Sequence, residues 1–264
     1  RKECYEKYGK LLKDIMGFIW NGLHPNLFIH ENGLLYANGR DHAITWMNSQ
    51  EGGRPVVPRS GYIVEFNALW YNALKFFEQM LEENDKEEHE DVKNRIKQDA
   101  EKMARSFKEV FLNEYGYLLD YVDGQMMDWS VRPNQLFAIA FDYSPLDMKE
   151  RKAVLDICTK ELVTPKGIRS LSPKSGGYNP MYVGPQNQRD LAYHQGTAWP
   201  WLTGFYLEAY LRVYRMSGVN YIERQLIGFE EELFYHCIGT IPELFDGNPP
   251  FHGRGAISFA MNVS

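Results

Sequence analysis

The sequence predicts an all-α fold, because stretches with helical periodicity alternate with long polar loops and no run alternates in the manner of a strand. Hydrophobic residues make up 44% and charged residues 24% of the 264 residues, which is ordinary for a globular protein. Gly, Pro and Asn cluster between the helical stretches. Helix pairs of this kind bury a shared core and leave the loops of one end to surround a pocket.

The predicted helices follow one another along the chain. Residues 2–20 carry apolar side chains at helical spacing, with Lys and Glu on the other face. Residues 21–61 form a long loop rich in Gly, Asn and Pro, with a short hairpin around 28–36. Further helices are predicted, in chain order, over residues 62–83, 91–113, 134–141, 148–162, 199–216 and 219–237. Two more long loops are predicted over 164–195 and 241–255, and residues 256–264 read like the opening of another helix.

The charge balance restricts the partners. A net charge of −6 argues against nucleic acid, which needs a concentrated basic face, and is compatible with a neutral polysaccharide. We find no apolar run long enough for a bilayer and no signal-peptide pattern, so no membrane partner is expected. Three widely spaced cysteines read as free thiols, which predicts a cytoplasmic location. The sequence predicts neither a metal nor an organic cofactor.

Segments 45–48, 58–59 and 64–74 are the most informative part of the chain. Together they carry two tryptophans, an arginine, a carboxylate and three carboxamides. A buried core tolerates polar side chains only when they are paired. A carbohydrate site combines flat aromatic faces with amide and charged groups that bind hydroxyls. These segments are therefore predicted to form a sugar-binding wall.

The same segments, which read TWMN, PR and VEFNALWYNAL, resemble the glucosidase domain of glycogen debranching enzymes, the amylo-α-1,6-glucosidases. Four more stretches resemble that family in the same order: LLYA at 34–37, VRPNQLFA at 131–138, AYHQGTAWPW at 192–201 and IPELFDG at 241–247. The resemblance implies an (α/α)6 toroid, glycogen or a branched α-glucan as substrate, and an upstream domain of the same chain. Because about eight helices are predicted and the toroid has six pairs, residues 1–264 are expected to be a single, incomplete glucosidase domain, a fragment of a longer protein.

The resemblance also assigns catalytic positions. Inverting glycosidases place two carboxyl groups about 6.5–9.5 Å apart. Glu243, in the Pro-Glu-Leu motif, matches the family's general base. The family's general acid is an aspartate that follows Thr-Trp-Met, and here that residue is Asn48, which cannot protonate a leaving oxygen. Loss of a general acid costs about 10²–10⁴ in rate.

Several outcomes follow from Asn48. Catalysis is impaired, or Glu51 in the adjoining Gln-Glu-Gly-Gly turn supplies the acid, or the protein binds glycans without cleaving them. If the more general AYHQGTAWPW motif is weighted above the others, another toroid α-glucosidase of glucoamylase or trehalase type is the alternative.

The remaining motif residues are expected to bind sugar. Trp46 lies in a polar loop and is expected to stack on a glucosyl ring. His194 and Gln195 are assigned to hydroxyl binding rather than proton transfer, and for Asn134 a helix N-cap role is equally open. Three aspartates, Asp120, Asp123 and Asp128, are expected to face solvent. The full predicted substrate-binding set is Trp46, Arg59, Glu65, Asn67, Trp70, Arg132, Asn134, Gln135, His194, Gln195 and Trp199.

Overall fold

The computed structural model describes residues 2–84 and 90–263 and consists mainly of helices joined by long, strand-containing loops. The α-helices are α1 (Lys2–Trp20), α2 (Val64–Asn84), α3 (Glu90–Phe111), α4 (Phe137–Ala140), α5 (Met148–Leu162), α6 (Gln186–Ala192), α7 (Trp201–Tyr214), α8 (Val219–Glu230) and α9 (Ala260–Val263). The strands are β1 (Leu27–Ile29), β2 (Leu35–Ala37), β3 (Gln50–Glu51), β4 (Arg54–Pro55), β5 (Gly61–Ile63), β6 (Tyr121–Asp123), β7 (Met126–Met127), β8 (Val163–Thr164), β9 (Gly167–Arg169), β10 (Ala198–Trp199), β11 (Leu244–Phe245) and β12 (Gly253–Arg254). Among the helices described, none combines the length and the hydropathy that a bilayer-spanning segment needs.

The helices predicted from periodicity are present. On α3, the buried residues Ile96, Met103 and Phe107 recur at helical spacing, and this stripe packs against α2. The start of α5 is fixed by a capping box, in which Asp147 accepts from the backbone of Glu150 while the Glu150 carboxylate accepts from the backbone of Asp147. Of the predicted ends, the last long helix is corrected most: α8 ends at Glu230, well before residue 237.

The expectation of a purely α-helical chain is wrong for the loops. The described loops contain two five-stranded antiparallel sheets, in the orders β1-β2-β5-β6-β7 and β12-β11-β10-β9-β8, and a β3–β4 hairpin. Each strand has only two or three residues, which is too short for an alternating pattern to be read from the sequence. The β1–β2 pair confirms the hairpin predicted around 28–36. The predicted loop over 164–195 also contains helix α6.

These short sheets bring distant motifs together. Strand β5 runs directly into α2 and pairs with β6, with Ile63 opposite Tyr121, so the first turn of α2 lies next to the residues that precede β6. In the second sheet β10 pairs with β11, with Ala198 opposite Phe245. The AYHQGTAWPW motif and the IPELFDG motif therefore meet through one ladder.

Candidate functional site

Glu243 is held in a defined position immediately before β11. One carboxylate oxygen accepts a hydrogen bond from the Tyr193 hydroxyl, and the other accepts a 2.8 Å bond from the backbone amide of Ala256. The backbone of Glu243 donates to the oxygen of Ala256 at 2.9 Å and accepts from the Asn262 amide at 2.9 Å. Because the side chain is 9% exposed, these contacts give it little freedom. Both side-chain contacts use the carboxylate as an acceptor, as a general base requires.

An aromatic cluster adjoins Glu243. His194 stacks on Trp199 with ring centroids 5.2 Å apart, and the Tyr193 ring lies 4.5 Å from it. The Trp46 ring meets His194, Trp199 and Trp201 edge-on at 5.1, 5.6 and 5.1 Å. Trp46 and Trp201 remain partly exposed, whereas Trp199 is buried. The two partly exposed indoles provide the kind of surface on which the apolar face of a sugar ring can pack.

His194 is neutral in this cluster. The side chain is 1% exposed, and neither ring nitrogen has a hydrogen-bond partner among the described residues. Burial, with a smaller contribution from the positive charge of Arg132, lowers the pKa of His194 to about 3. A histidine with such a pKa cannot act as a cationic acid at neutral pH, in keeping with the predicted role outside proton transfer.

Behind the aromatic cluster lies a buried network of charges. Arg59 donates to both carboxylate oxygens of Glu65, one bond being 2.6 Å long, and its Nε lies 2.7 Å from Asp120 Oδ2. Burial opposes the charge of Arg59, but Asp120 and Glu65 more than offset it, so the pKa of Arg59 lies above its ordinary value. Burial raises the pKa of Asp120 to about 6 against the opposing effect of Arg59, so its carboxylate is ionised at neutral pH.

Asn134 connects this network to the aromatic cluster. Its amide nitrogen donates to Asp120 at 2.7 Å, and its oxygen accepts a 2.7 Å bond from the Trp46 indole. Arg132 lies on the same side, where it donates to the backbone oxygen of His194 at 2.9 Å and to the Gln195 side chain at 2.8 Å. The charges therefore position Trp46, His194 and Gln195 rather than face a ligand themselves.

The structure buries much of the predicted substrate-binding set. Each of these side chains is at most 5% exposed and either bonds to protein groups or packs in the core. Asn67 accepts from the Leu35 amide at 2.8 Å and donates to the Leu35 oxygen at 3.0 Å, so it anchors β2 to α2. The buried members of the predicted set are Arg59, Glu65, Asn67, Trp70, Arg132, Asn134, Gln135, His194 and Trp199. The physical reason is that buried polar groups must be paired, and here, apart from His194, they are paired with one another or with the backbone, as Asn67 and Gln135 are.

The segment that carries Asn48 is open. Asn48 is exposed between the buried residues Met47 and Ser49, and Glu51 is exposed on the β3–β4 hairpin. Ser49 ties the segment to α6 through a 2.6 Å bond from its hydroxyl to the backbone oxygen of Asp190. The two long loops predicted from the sequence thus meet on the side of the molecule that carries Trp46 and Gln195.

The predicted residues meet as a cluster of contacting side chains. One cavity, of about 610 Å³, lies between α1 and α3 and is lined by residues such as Lys13, Trp20 and Arg95. A second, about 340 Å³, is lined by polar residues that include Tyr36, Arg40 and Asp123. The contact chain that runs from Glu65 to Glu243 contributes no residue to the lining of these two cavities.

Comparison with known proteins decides the family. Residues 2–264 match the family described as amylo-alpha-1,6-glucosidase. The chain belongs to that family. A curated relative, the glycogen debranching enzyme of Saccharomyces cerevisiae, is 28% identical over 232 residues, which cover 70% of this chain. The matched region is 15% of the length of the yeast enzyme.

Several solved structures share the fold of this family member. The mannosylglycerate hydrolase of Thermus thermophilus in complex with glucose matches 76% of this chain and 43% of its own, at 13% identity and a TM-score of 0.55. The neutral trehalase of Saccharomyces cerevisiae matches 76% of this chain and 37% of its own, at 16% identity and a TM-score of 0.57. A sialidase structure matches 100% of this chain and 23% of its own, at 15% identity and a TM-score of 0.68. At these identities the likeness concerns the fold.

Some residues of the site were not selected from the sequence. Tyr193 was available in the AYHQG motif, since a phenol next to a conspicuous histidine is a ready hydrogen-bond donor. Asp120 was expected in solvent but is 2% exposed, because its partners Arg59 and Asn134 come from distant parts of the chain. Gly255, at φ 74°, also belongs to the site, because a Cβ there would collide with Glu243 Oε2.

Proposed function

We propose that this chain removes α-1,6-linked glucose from glycogen or a related branched α-glucan with inversion of configuration, and that Glu243 is the general base. The observation that carries the proposal is the fixation of the Glu243 carboxylate by Tyr193 and Ala256 beside the aromatic cluster. Family membership supports the reaction class, and the neutral, aromatic and amide surroundings suit a substrate without charge.

In the proposed mechanism Glu243 takes a proton from a water molecule that attacks the anomeric carbon. The Tyr193 hydroxyl and the Ala256 amide hold the carboxylate in one orientation, which lowers the entropy cost of aligning base and water. Trp46 and Trp201 provide apolar faces for glucosyl rings, and Gln195, held by Arg132, provides an amide for hydroxyl groups. His194 shapes this surface as a neutral, buried ring.

The test is Glu243→Gln in the complete protein. Because the carboxamide keeps the shape but not the basicity of the carboxylate, glucose release from a limit dextrin should fall by about 10²–10⁴ while glucan binding is retained. The released sugar should be β-glucose in a time-resolved NMR assay of the natural protein. A glucose product of α configuration would contradict inversion.

A matched control is Glu161→Gln. Glu161 is 7% exposed and likewise accepts two side-chain hydrogen bonds, from Ser172 and Lys174, but it lies outside the cluster. The Glu161→Gln variant should release glucose at a rate near that of the natural protein. If Glu243→Gln were as active as this control, Glu243 would not be the base.

A second candidate function is glycan binding without cleavage, favoured by the carboxamide of Asn48 at an exposed position. Glycogen binding without glucose release by both the natural protein and its Asn48→Asp variant would establish it. A substrate panel of α-1,6-linked, α-1,4-linked and trehalose-type glucosides separates the proposed activity from a glucoamylase- or trehalase-like activity. Preference for the α-1,6 linkage is expected.

A further inference from the structure

The loop that carries Asn48 is fastened to α6. The Ser49 hydroxyl bonds to the backbone oxygen of Asp190 at 2.6 Å, and β3 packs against the same helix. Since Ser49 directly follows Asn48, Asp190 lies beside the position whose side chain cannot donate a proton. Glu51, by contrast, is exposed on the hairpin.

Asp190 also lies one helical turn before Tyr193, the residue that holds Glu243. Tyr193 continues the helical backbone of α6, with φ −52° and ψ −38°, and helix residues three apart have their Cβ atoms about 5–6 Å from each other. Burial and the hydrogen bond to Glu243 are the main causes that raise the pKa of Tyr193, and the charge of Asp190 adds to that shift. The Asp190 carboxylate is thus within electrostatic range of the phenol that contacts Glu243.

The Asp190 side chain is oriented and only partly buried. Its Oδ1 accepts a 2.6 Å hydrogen bond from the Gln186 amide, one turn earlier on α6. Neighbouring Tyr182 packs on Tyr193 with ring centroids 5.4 Å apart and flanks the same region. A carboxyl group held through one oxygen can carry a proton on the other, Oδ2, and present it to a substrate.

We propose that Asp190 is the general acid of this site. In its protonated form it donates the Oδ2 proton to the glycosidic oxygen while the bond from that oxygen to the anomeric carbon breaks. Water forms the new bond to that carbon and gives its proton to Glu243, and exchange with solvent then returns both carboxyl groups to their starting states. The assignment rests on the proposed function. The candidates for the acid position from the sequence were Asn48 and Glu51.

The test uses two substrates that differ in their need for an acid. A glucan alcohol must be protonated as it leaves, whereas the fluoride of α-glucosyl fluoride departs without protonation. Asp190→Asn in the complete protein should lower hydrolysis of the branched glucan by about 10²–10⁴ and leave hydrolysis of α-glucosyl fluoride within a few-fold of the natural rate. Retained fluoride hydrolysis also shows that the variant is folded.

The matched control is Asp156→Asn. Asp156 is an exposed helical aspartate that accepts a 2.6 Å bond from Lys152, one turn earlier, as Asp190 does from Gln186. The Asp156→Asn variant should change neither the rate of glucan hydrolysis nor the rate of fluoride hydrolysis. Recovery of glucan hydrolysis in the double variant Asn48→Asp/Asp190→Asn would support the view that both positions serve the same oxygen.

The outcomes separate this inference from the proposed function. A natural glucan rate in Asp190→Asn, or an equal loss on both substrates, would overturn the assignment of Asp190. Glu243→Gln should lose both substrates, because the base is needed for either leaving group. If the natural protein hydrolysed neither substrate, the proposed function itself would fail.

Discussion

The segment around Asn48 and the segment around Glu243 are held in opposite ways, although both match catalytic motifs of the family. Glu243 is nearly buried, and two donors fix its carboxylate. Asn48 is exposed, and the hydroxyl of the next residue ties its loop to α6. A residue can be replaced at the open position without loss of packing, whereas the closed position tolerates little change. If the proposed function holds, this difference explains how an acid residue can be absent at position 48 while the fold and the proposed base, Glu243, remain.

The largest effect on activity is expected for Gly255→Ala, which would disturb the fixed position of Glu243. Gly255 has φ 74°, and a Cβ would collide with Glu243 Oε2. The collision would displace the Glu243 carboxylate. Because a displacement on the order of 1 Å costs about 10²-fold in rate, kcat/KM for the branched glucan should fall by about that factor. The rate is measured as glucose release under conditions where the variant is folded.

Its control is Gly239→Ala, which has a similar φ of 78° but open space where the Cβ would lie. Both variants carry the backbone strain of a left-handed residue, about 1–2 kcal/mol, yet only Gly255→Ala should lose activity. Equal losses would show that strain, and not the position of Glu243, sets the rate.

A second variant, His194→Phe, tests the buried imidazole ring of His194. The pKa of His194, lowered to about 3 in the folded state, lies below the ordinary value of 6.5. Between these values the unfolded chain binds the additional proton, so the free energy of unfolding should decrease as pH falls, by about 1.4 kcal/mol per pH unit from this group. His194→Phe should remove that part of the slope in denaturant titrations from pH 7 to pH 4.

The exposed His236→Phe serves as the comparison for that experiment. Its slope is compared with that of His194→Phe, because this variant removes a histidine at an exposed position. A slope that is the same in His194→Phe and in the natural protein would show that the ring takes up a proton without cost in the folded state.

The smallest effect is expected at the tip of the open segment. Glu51 is exposed on the β3–β4 hairpin, so Glu51→Gln should change the free energy of unfolding by no more than about 0.5 kcal/mol. The rate of glucose release should be unaltered, because the acid is assigned to α6. Loss of release in this variant would move the acid to the hairpin.

The sequence predicted the parts of the fold that depend on local periodicity. Residues 2–20 and 148–162 are helical as expected, because their apolar spacing and, in α5, a capping box act within one element. The short strands were missed, since two or three residues carry no period. Which residues meet at the strand ends depends on pairings between distant segments, such as Ala198 with Phe245.

The same distinction between local patterns and long-range pairings applies to the candidate site. The motifs identified residues that the structure brings into one contact chain, among them Trp46, His194 and Glu243. The motifs could not distinguish partly exposed residues from the buried residues that hold them in place. Arg59 and Glu65 look like sugar ligands until Asp120, more than fifty residues away in sequence, is seen to complete their pairing.

The ladder between β10 and β11 gives the site a shared weak point. Trp199 belongs to one strand and Glu243 directly precedes the other, and the two strands have only two residues each. Short ladders of this kind can open while the helical core remains folded, because local opening needs less free energy than global unfolding. Fraying there would displace Glu243 and part of the aromatic surface in a single event. The proposed activity would then be lost on warming at a lower temperature than the one at which the helices melt.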